Sequence, residues 1–243
     1  AAKQSGSHRY AFYRPELTTL AAQRLRIESE LRDAISGDEL YLQYQPKVDL
    51  QTGRLAGVEA LVRWEHPERG MLPPSEFIEV AERIGIINQL GEWVLRTACR
   101  QMADWRERGL PAFHVAINIS PGHFNEPALV DTVRDTLREY ALSASDIELE
   151  VTESVVQVSE QNQQVFKGLV DIGVSIAIDD FGTGYSSLSS LVHVPISCLK
   201  IDRVFITDML GSPEAAAMVG TIVGLAHAME YTVVAEGVET QEQ

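Results

Sequence analysis

Nearly every apolar strand-like run in this sequence has an acidic, amide or lysine side chain near its C-terminal end, and no other feature constrains the fold as tightly. Glu59 falls late in Ala56–Val62, Asn118 late in His114–Ile119, and Glu150 late in Ile147–Val151. Asp179 and Asp180 follow Val174–Ile178, Lys200 lies in Cys198–Ile201, and Glu236 follows Thr232–Ala235. Helical stretches separate these runs: Pro74–Ile84, Ile87–Arg108, Pro127–Tyr140, Glu160–Ile172 and Pro213–Met229. Alternating β and α segments with apolar strands imply a parallel sheet covered by helices. When such a sheet closes into a barrel, all the strand ends open onto one face, and active sites sit on that face.

The first strand departs from the pattern. Leu40, Leu42 and Tyr44 alternate with Tyr41 and Gln43, and a turn at Asp49–Leu55 leads straight into the next apolar run. So short a connection joins antiparallel strands, because parallel ones need a long crossover. Seven strands result. No glycine-rich dinucleotide turn follows the first βα junction, so a TIM-like (β/α)8 barrel with an antiparallel first strand fits better than an open doubly wound sheet. Its eighth strand is not in this sequence, which ends at Gln243. Upstream, Leu17, Leu20, Ile27, Leu31 and Ala34 trace one face of a helix from Glu16 that Gly37 closes, whereas residues 1–15 show no periodic face.

Charge narrows the function. The chain carries 35 acidic and 20 basic residues, a net charge of −15. Gripping DNA or RNA through its phosphates needs a basic face, so no polymeric nucleic acid is expected as partner. Carboxylates can instead be gathered to hold divalent cations. Cys99 and Cys198 are too few for a zinc cage or a disulfide framework, which favours reduced thiols in a cytoplasmic setting. No apolar run reaches the length of a membrane span, so no direct membrane contact is expected from this stretch. Any anchor of a parent protein would lie in other segments.

Gathering the strand-end acids is costly: two like charges about 4 Å apart repel by roughly 4 kcal/mol at an effective dielectric of 20. Oxygen donors without clustered Cys or His suit Mg²⁺ or Mn²⁺. Adjacent Asp179 and Asp180 can serve two ions, the arrangement that stabilises attacking and leaving oxygens in phosphoester displacement. Lys200 either orients the attacking water or forms a plain salt bridge.

The motifs then point to a family. "EALVRW" at Glu59–Trp64, with "YQPKVDL", "NIS", "ELEVTES", "DDFGTGYSSLSSL", "LKIDRVFI" and "AEGVET" in that order, resembles the EAL domain, a family of cyclic di-GMP phosphodiesterases. Residues 1–15 resemble the C-terminal remnant of a GGDEF diguanylate cyclase domain. On that likeness residues 16–36 are a connecting helix, and residues 37–243 an EAL domain without its last strand. The resemblance implies a first metal held by Glu59, Asn118, Glu150 and Asp179, and a second held by Asp179, Asp180 and Glu236. It further implies that Lys200 contacts the attacking water and that Glu236 also acts as base. Glu153 is implied to steady the loop that meets both the metal site and a homodimer interface. Arg63 is implied to meet a substrate phosphate, Gln45 with Pro46 to line the guanine end, and Glu239 to lie close by.

Hydrolysis of cyclic di-GMP to linear pGpG in bacterial second-messenger signalling is the leading expectation. The alternative is a catalytically inactive receptor that binds the dinucleotide, although such receptors usually lose metal ligands that this chain keeps. A retaining glycosidase would use two barrel glutamates, but would leave Asn118, Asp179, Asp180 and Lys200 without a task.

Overall fold

A computed structural model describes residues 27–156, 159–183, 191 and 194–243. The GGDEF remnant expected at residues 1–15 lies outside the described residues, as do the first part of the connecting helix and residues 184–190 of the loop after Asp180. The described part of that helix, α1 (residues 27–36), buries Ile27, Leu31 and Ala34, and the Gly37 N–H ends it on the Ala34 carbonyl.

Strands β1 (Leu40–Val48) and β2 (Leu55–His66) form the expected hairpin, in register from Leu40↔Trp64 to Lys47↔Gly57, with a slip before the last pair, Val48↔Leu55. Asp49 builds the turn. Its Oδ1 accepts the N–H groups of Gln51 and Thr52 at 3.0 and 2.7 Å, so the side chain substitutes for a backbone acceptor. A short strand, β3 (Gly70–Leu72), was not expected. It folds back on Trp64–His66 from a turn that Gly70 completes at φ +67°. Three residues are too few to show alternation. The pairing carries β2 four residues past Val62 and seats Trp64 in the core, edge-on to Phe77, with its indole N–H on Glu39 at 2.9 Å.

From there helices and parallel strands alternate: α2 (Pro74–Arg83), α3 (Ile87–Glu107), β4 (His114–Ile119), α4 (Pro121–Phe124), α5 (Leu129–Glu139), β5 (Ile147–Thr152), α6 (Glu160–Ile172), β6 (Ser175–Phe181), β7 (Cys198–Ile201), α7 (Arg203–Asp208), α8 (Pro213–Ala228) and β8 (Thr232–Ala235). The sheet order is β1-β2-β4-β5-β6-β7-β8. In a flat sheet β1 and β5 would lie three spacings, about 14 Å, apart. Lys47 on β1 nevertheless reaches Glu150 on β5 at 2.6 Å, and Lys200 on β7 comes within 3.4 Å of Glu59 on β2. The sheet is therefore curled, with the α/β architecture of a TIM-like barrel. Among the described residues its path is open between β8 and β1. The longest described helix, α3, turns an apolar stripe inward with Leu90, Val94, Leu95, Ala98 and Met102.

Cys99 and Cys198 are buried and free, and burial pushes their thiols up to about 12 and about 11. Neither is poised to react at neutral pH. Among the described residues no helix is long and apolar enough to cross a membrane.

Candidate active site

Strand alternation decides which side chains meet inside the curled sheet. Odd-numbered residues on β1 and β2 (Gln45 and Lys47; Gly57 and Glu59) share the inner face with even-numbered ones on β4, β5 and β7. Gly57, Ala116 and Ala177 occupy inner positions on β2, β4 and β6. Their small size leaves room for the long chains of Lys47, Glu148, Glu150 and Lys200.

Lys200 is the centre of the upper layer. Its Nζ lies 2.6 Å from Glu150 Oε2, 2.8 Å from Glu236 Oε1, 3.1 Å from Asp179 Oδ1 and 3.4 Å from Glu59 Oε2. An ammonium has three donors, so four carboxylates cannot all be satisfied at once. Burial works against the lysine's charge, yet Glu150, Glu59, Asp179 and Glu236 together hold its pKa above the ordinary value. Burial raises Glu150 to about 7 and raises Glu236 as well, in both cases against the pull of Lys200. Asn118 Nδ2 donates to Glu59 Oε1 at 2.8 Å, so the lone pairs of its amide oxygen stay available to a cation.

Asp179 and Asp180 are neighbours on a strand, and regular alternation would point them to opposite faces. The backbone prevents this. Between Ile178 and Phe181 the β6–β7 register slips, and Asp180 takes φ +54° in the left-handed region. A bulge re-aims side chains, and Asp is among the residues that tolerate this conformation. Both carboxylates consequently join Glu236, with ligand atoms of all three within 4.8 Å of one another. Burial first, then Asp179, Asp202 and Glu236, raise Asp180 to about 6.

Below this layer lies a second polar group that sequence reasoning missed. Lys47 Nζ bridges Glu150 Oε1 at 2.6 Å and Glu148 Oε1 at 2.9 Å. Burial opposes ionisation of Glu148, but contact with His114 and Lys47 brings it down to about 2. His114 Nε2 stands 3.4 Å from Glu148 Oε1, an electrostatic approach too long for a good hydrogen bond. Glu148 could have been found from its spacing, because it lies two residues before Glu150 on the same strand face. Lys47 was visible only as a member of "YQPKVDL".

The remaining expected residues lie at the rim. Glu153 opens a 3-10 turn just past β5 and is buried, and its Oε2 accepts the Gly182 N–H at 3.2 Å. Arg63 Nε donates to Gln43 Oε1 at 2.8 Å, Gln45 is exposed beside Glu59 across the β1–β2 ladder, and Glu239 is exposed. Trp64 is wholly buried and belongs to the packing.

Four carboxylates converge on one buried ammonium, Asp180 stands beside two of them and the Asn118 amide bonds a third, so the donor set fits hard divalent cations bound through oxygen. Fold and site together define a TIM-like barrel domain with an acidic, metal-type centre at the C-terminal ends of its strands. The EAL domain pattern matches residues 28–243, and the chain belongs to that family. The bifunctional diguanylate cyclase/cyclic di-GMP phosphodiesterase MucR of Pseudomonas aeruginosa is 43% identical over 243 residues, which cover 100% of this chain and 36% of the relative. The cyclic di-GMP phosphodiesterase NbdA of the same organism is 42% identical over 242 residues, covering 99% and 31%. The chain thus spans about a third of the length of these curated relatives. Among solved structures, the PaMucR phosphodiesterase in its c-di-GMP complex superposes with a TM-score of 0.85 at 44% identity, covering 89% of this chain and 88% of that one. The Xanthomonas citri FimX EAL domain in complex with c-diGMP gives 0.82 at 26%, covering 93% and 88%.

Proposed function

We propose that this domain is a metal-dependent phosphodiesterase that hydrolyses cyclic di-GMP to pGpG. The observation that carries this reading is the Lys200 ammonium set among Glu59, Glu150, Asp179 and Glu236, with Asp180 turned by a bulge to the same side. A receptor without chemistry would have no need of so much opposed charge around one lysine. Support also comes from the relatives, whose names specify cyclic di-GMP phosphodiesterases.

The ions assigned are Mg²⁺ or Mn²⁺, two per site. Glu59, Asn118, Glu150 and Asp179 would hold one, and Asp179, Asp180 and Glu236 the other. When bound, they supply Lewis-acid stabilisation of the phosphoryl oxygens and make water nucleophilic at neutral pH. The protein's own groups do the rest. Arg63 pairs with a substrate phosphate, and Gln45 with Pro46 receives a guanine. Lys200 donates to the attacking water and fixes its direction, while Glu236, already bonded to Lys200, takes its proton. Glu153 holds the Gly182 amide and with it the start of the loop after Asp180. The P–O3′ bond breaks and the departing oxygen takes a proton from solvent, leaving a 5′-phosphate and a free 3′-hydroxyl, while Glu236 returns its proton to solvent. A homodimer meeting through that loop, in the cytoplasm, completes the proposal.

The test is chromatographic. The purified domain with cyclic di-GMP and Mn²⁺ should yield pGpG, and excess chelator should abolish it. Retained binding with no product under both conditions would identify a receptor instead.

A further inference from the structure

We infer that Lys47 is a positioning residue for Glu150, pinning the carboxylate from below while Lys200 pins it from above. This rests on Glu150 being a metal ligand. The terminal torsion of a glutamate is soft, so a lone Glu presents its two oxygens over a broad range of angles. Here each oxygen has its own ammonium: Oε1 takes Lys47 at 2.6 Å and Oε2 takes Lys200 at 2.6 Å. The lysines come from β1 and β7, on different sides of the curled sheet, so rotation of the carboxylate plane would lengthen at least one contact.

Lys47 is itself fixed. Glu148, on the same face of β5, takes its ammonium at 2.9 Å, and both side chains are about nine-tenths buried. The floor under the pair is shaped for it. Gly57 is the cross-strand partner of both Lys47 and His114, and a Cβ on Gly57 would lie 2.6 Å from His114 Nε2. A side chain at that position would push the imidazole off Glu148. Stability does not require such a layer, because apolar residues of similar volume usually replace a buried ion pair at no loss. Partners that orient a metal ligand, in contrast, are commonly worth 10–100-fold in metal affinity or activity.

Calorimetric Mn²⁺ titration of the whole chain, with kinetics in parallel, tests this. Lys47→Met should weaken Mn²⁺ binding about tenfold or more and lower kcat with little change in KM, circular dichroism remaining that of the parent. Glu148→Gln should weaken binding by a smaller factor and add nothing in the Lys47→Met background, because it acts through Lys47. An ammonium that merely competes with the ion for Glu150 would give the opposite sign, so equal or tighter Mn²⁺ binding by Lys47→Met overturns the inference. If that variant does not fold, Glu148→Gln decides alone, and unchanged affinity overturns it. Glu150→Gln separates the two levels: unchanged Mn²⁺ affinity there would remove Glu150 from the metal site, whatever Lys47 does.

Discussion

Lys200 Nζ donates to Glu150 Oε2 across 2.6 Å, and both side chains are essentially closed to solvent. Removing one member of such a pair leaves the other charge buried without compensation, at about 3–5 kcal/mol. Lys200→Met should therefore lower the unfolding midpoint in chelator by on the order of 10 °C. Mn²⁺ should restore much of that loss, since the cation takes over the compensation, while turnover stays low. Calorimetric melting with and without Mn²⁺ checks this, and an unchanged midpoint in chelator would speak against the pairing.

Acidity should act on the metal-free protein with a definite sign. Glu150 is raised to about 7 and Asp180 to about 6, so through that window the folded chain holds more protons than the unfolded one. Stability contributed by these groups falls as pH rises through it. Glu148 has the opposite sign: held near 2, it stabilises above its ordinary range, and that stability is lost as pH falls toward 2. In chelator, the parent should lose stability relative to Glu150→Gln between about pH 5 and about pH 8. Mn²⁺ affinity should rise over the same range, because ligands bind deprotonated. A flat affinity profile would contradict the role given to Glu150.

Asp179→Asn should be the most damaging single change, because the carboxylate shared between the two proposed ions loses its charge. Turnover should fall about 10²-fold or more. Asp180→Asn should chiefly raise the Mn²⁺ concentration needed for half-maximal rate. Near-normal turnover of Asp179→Asn at millimolar Mn²⁺ would rule out the shared position.

The contrast between these two aspartates marks where sequence reading stops. Strand parity brings Glu59, Asn118, Glu150 and Lys200 to one face from alternation alone. That Asp180 joins Asp179 was expected from their adjacency and the EAL likeness alone; the register slip and left-handed backbone that bring it about leave no periodic trace. β3 was illegible for a simpler reason, three residues being shorter than any pattern. Lys47 was hidden because its partners are 101 and 103 residues away, and only the curling of the sheet makes them neighbours. Glu153 follows the end of β5, and its odd spacing from Glu150 takes it off the inner face.

Glu153→Ala should remove a charged acceptor from the Gly182 N–H, costing about 1.5–3 kcal/mol of local order. Circular dichroism should be unchanged, turnover should fall, and high Mn²⁺ should recover part of it. Wild-type turnover and metal dependence together would leave Glu153 without a part in the site.

Hydrolysis in ¹⁸O-labelled water, read by mass spectrometry of the product, tests the proposed chemistry most directly. With Mn²⁺, a single round of cleavage should convert cyclic di-GMP to pGpG carrying one solvent oxygen on its 5′-phosphate, as attack at phosphorus with departure of the 3′ oxygen requires. Recovery of intact, unlabelled cyclic di-GMP from a folded, metal-loaded domain would contradict it.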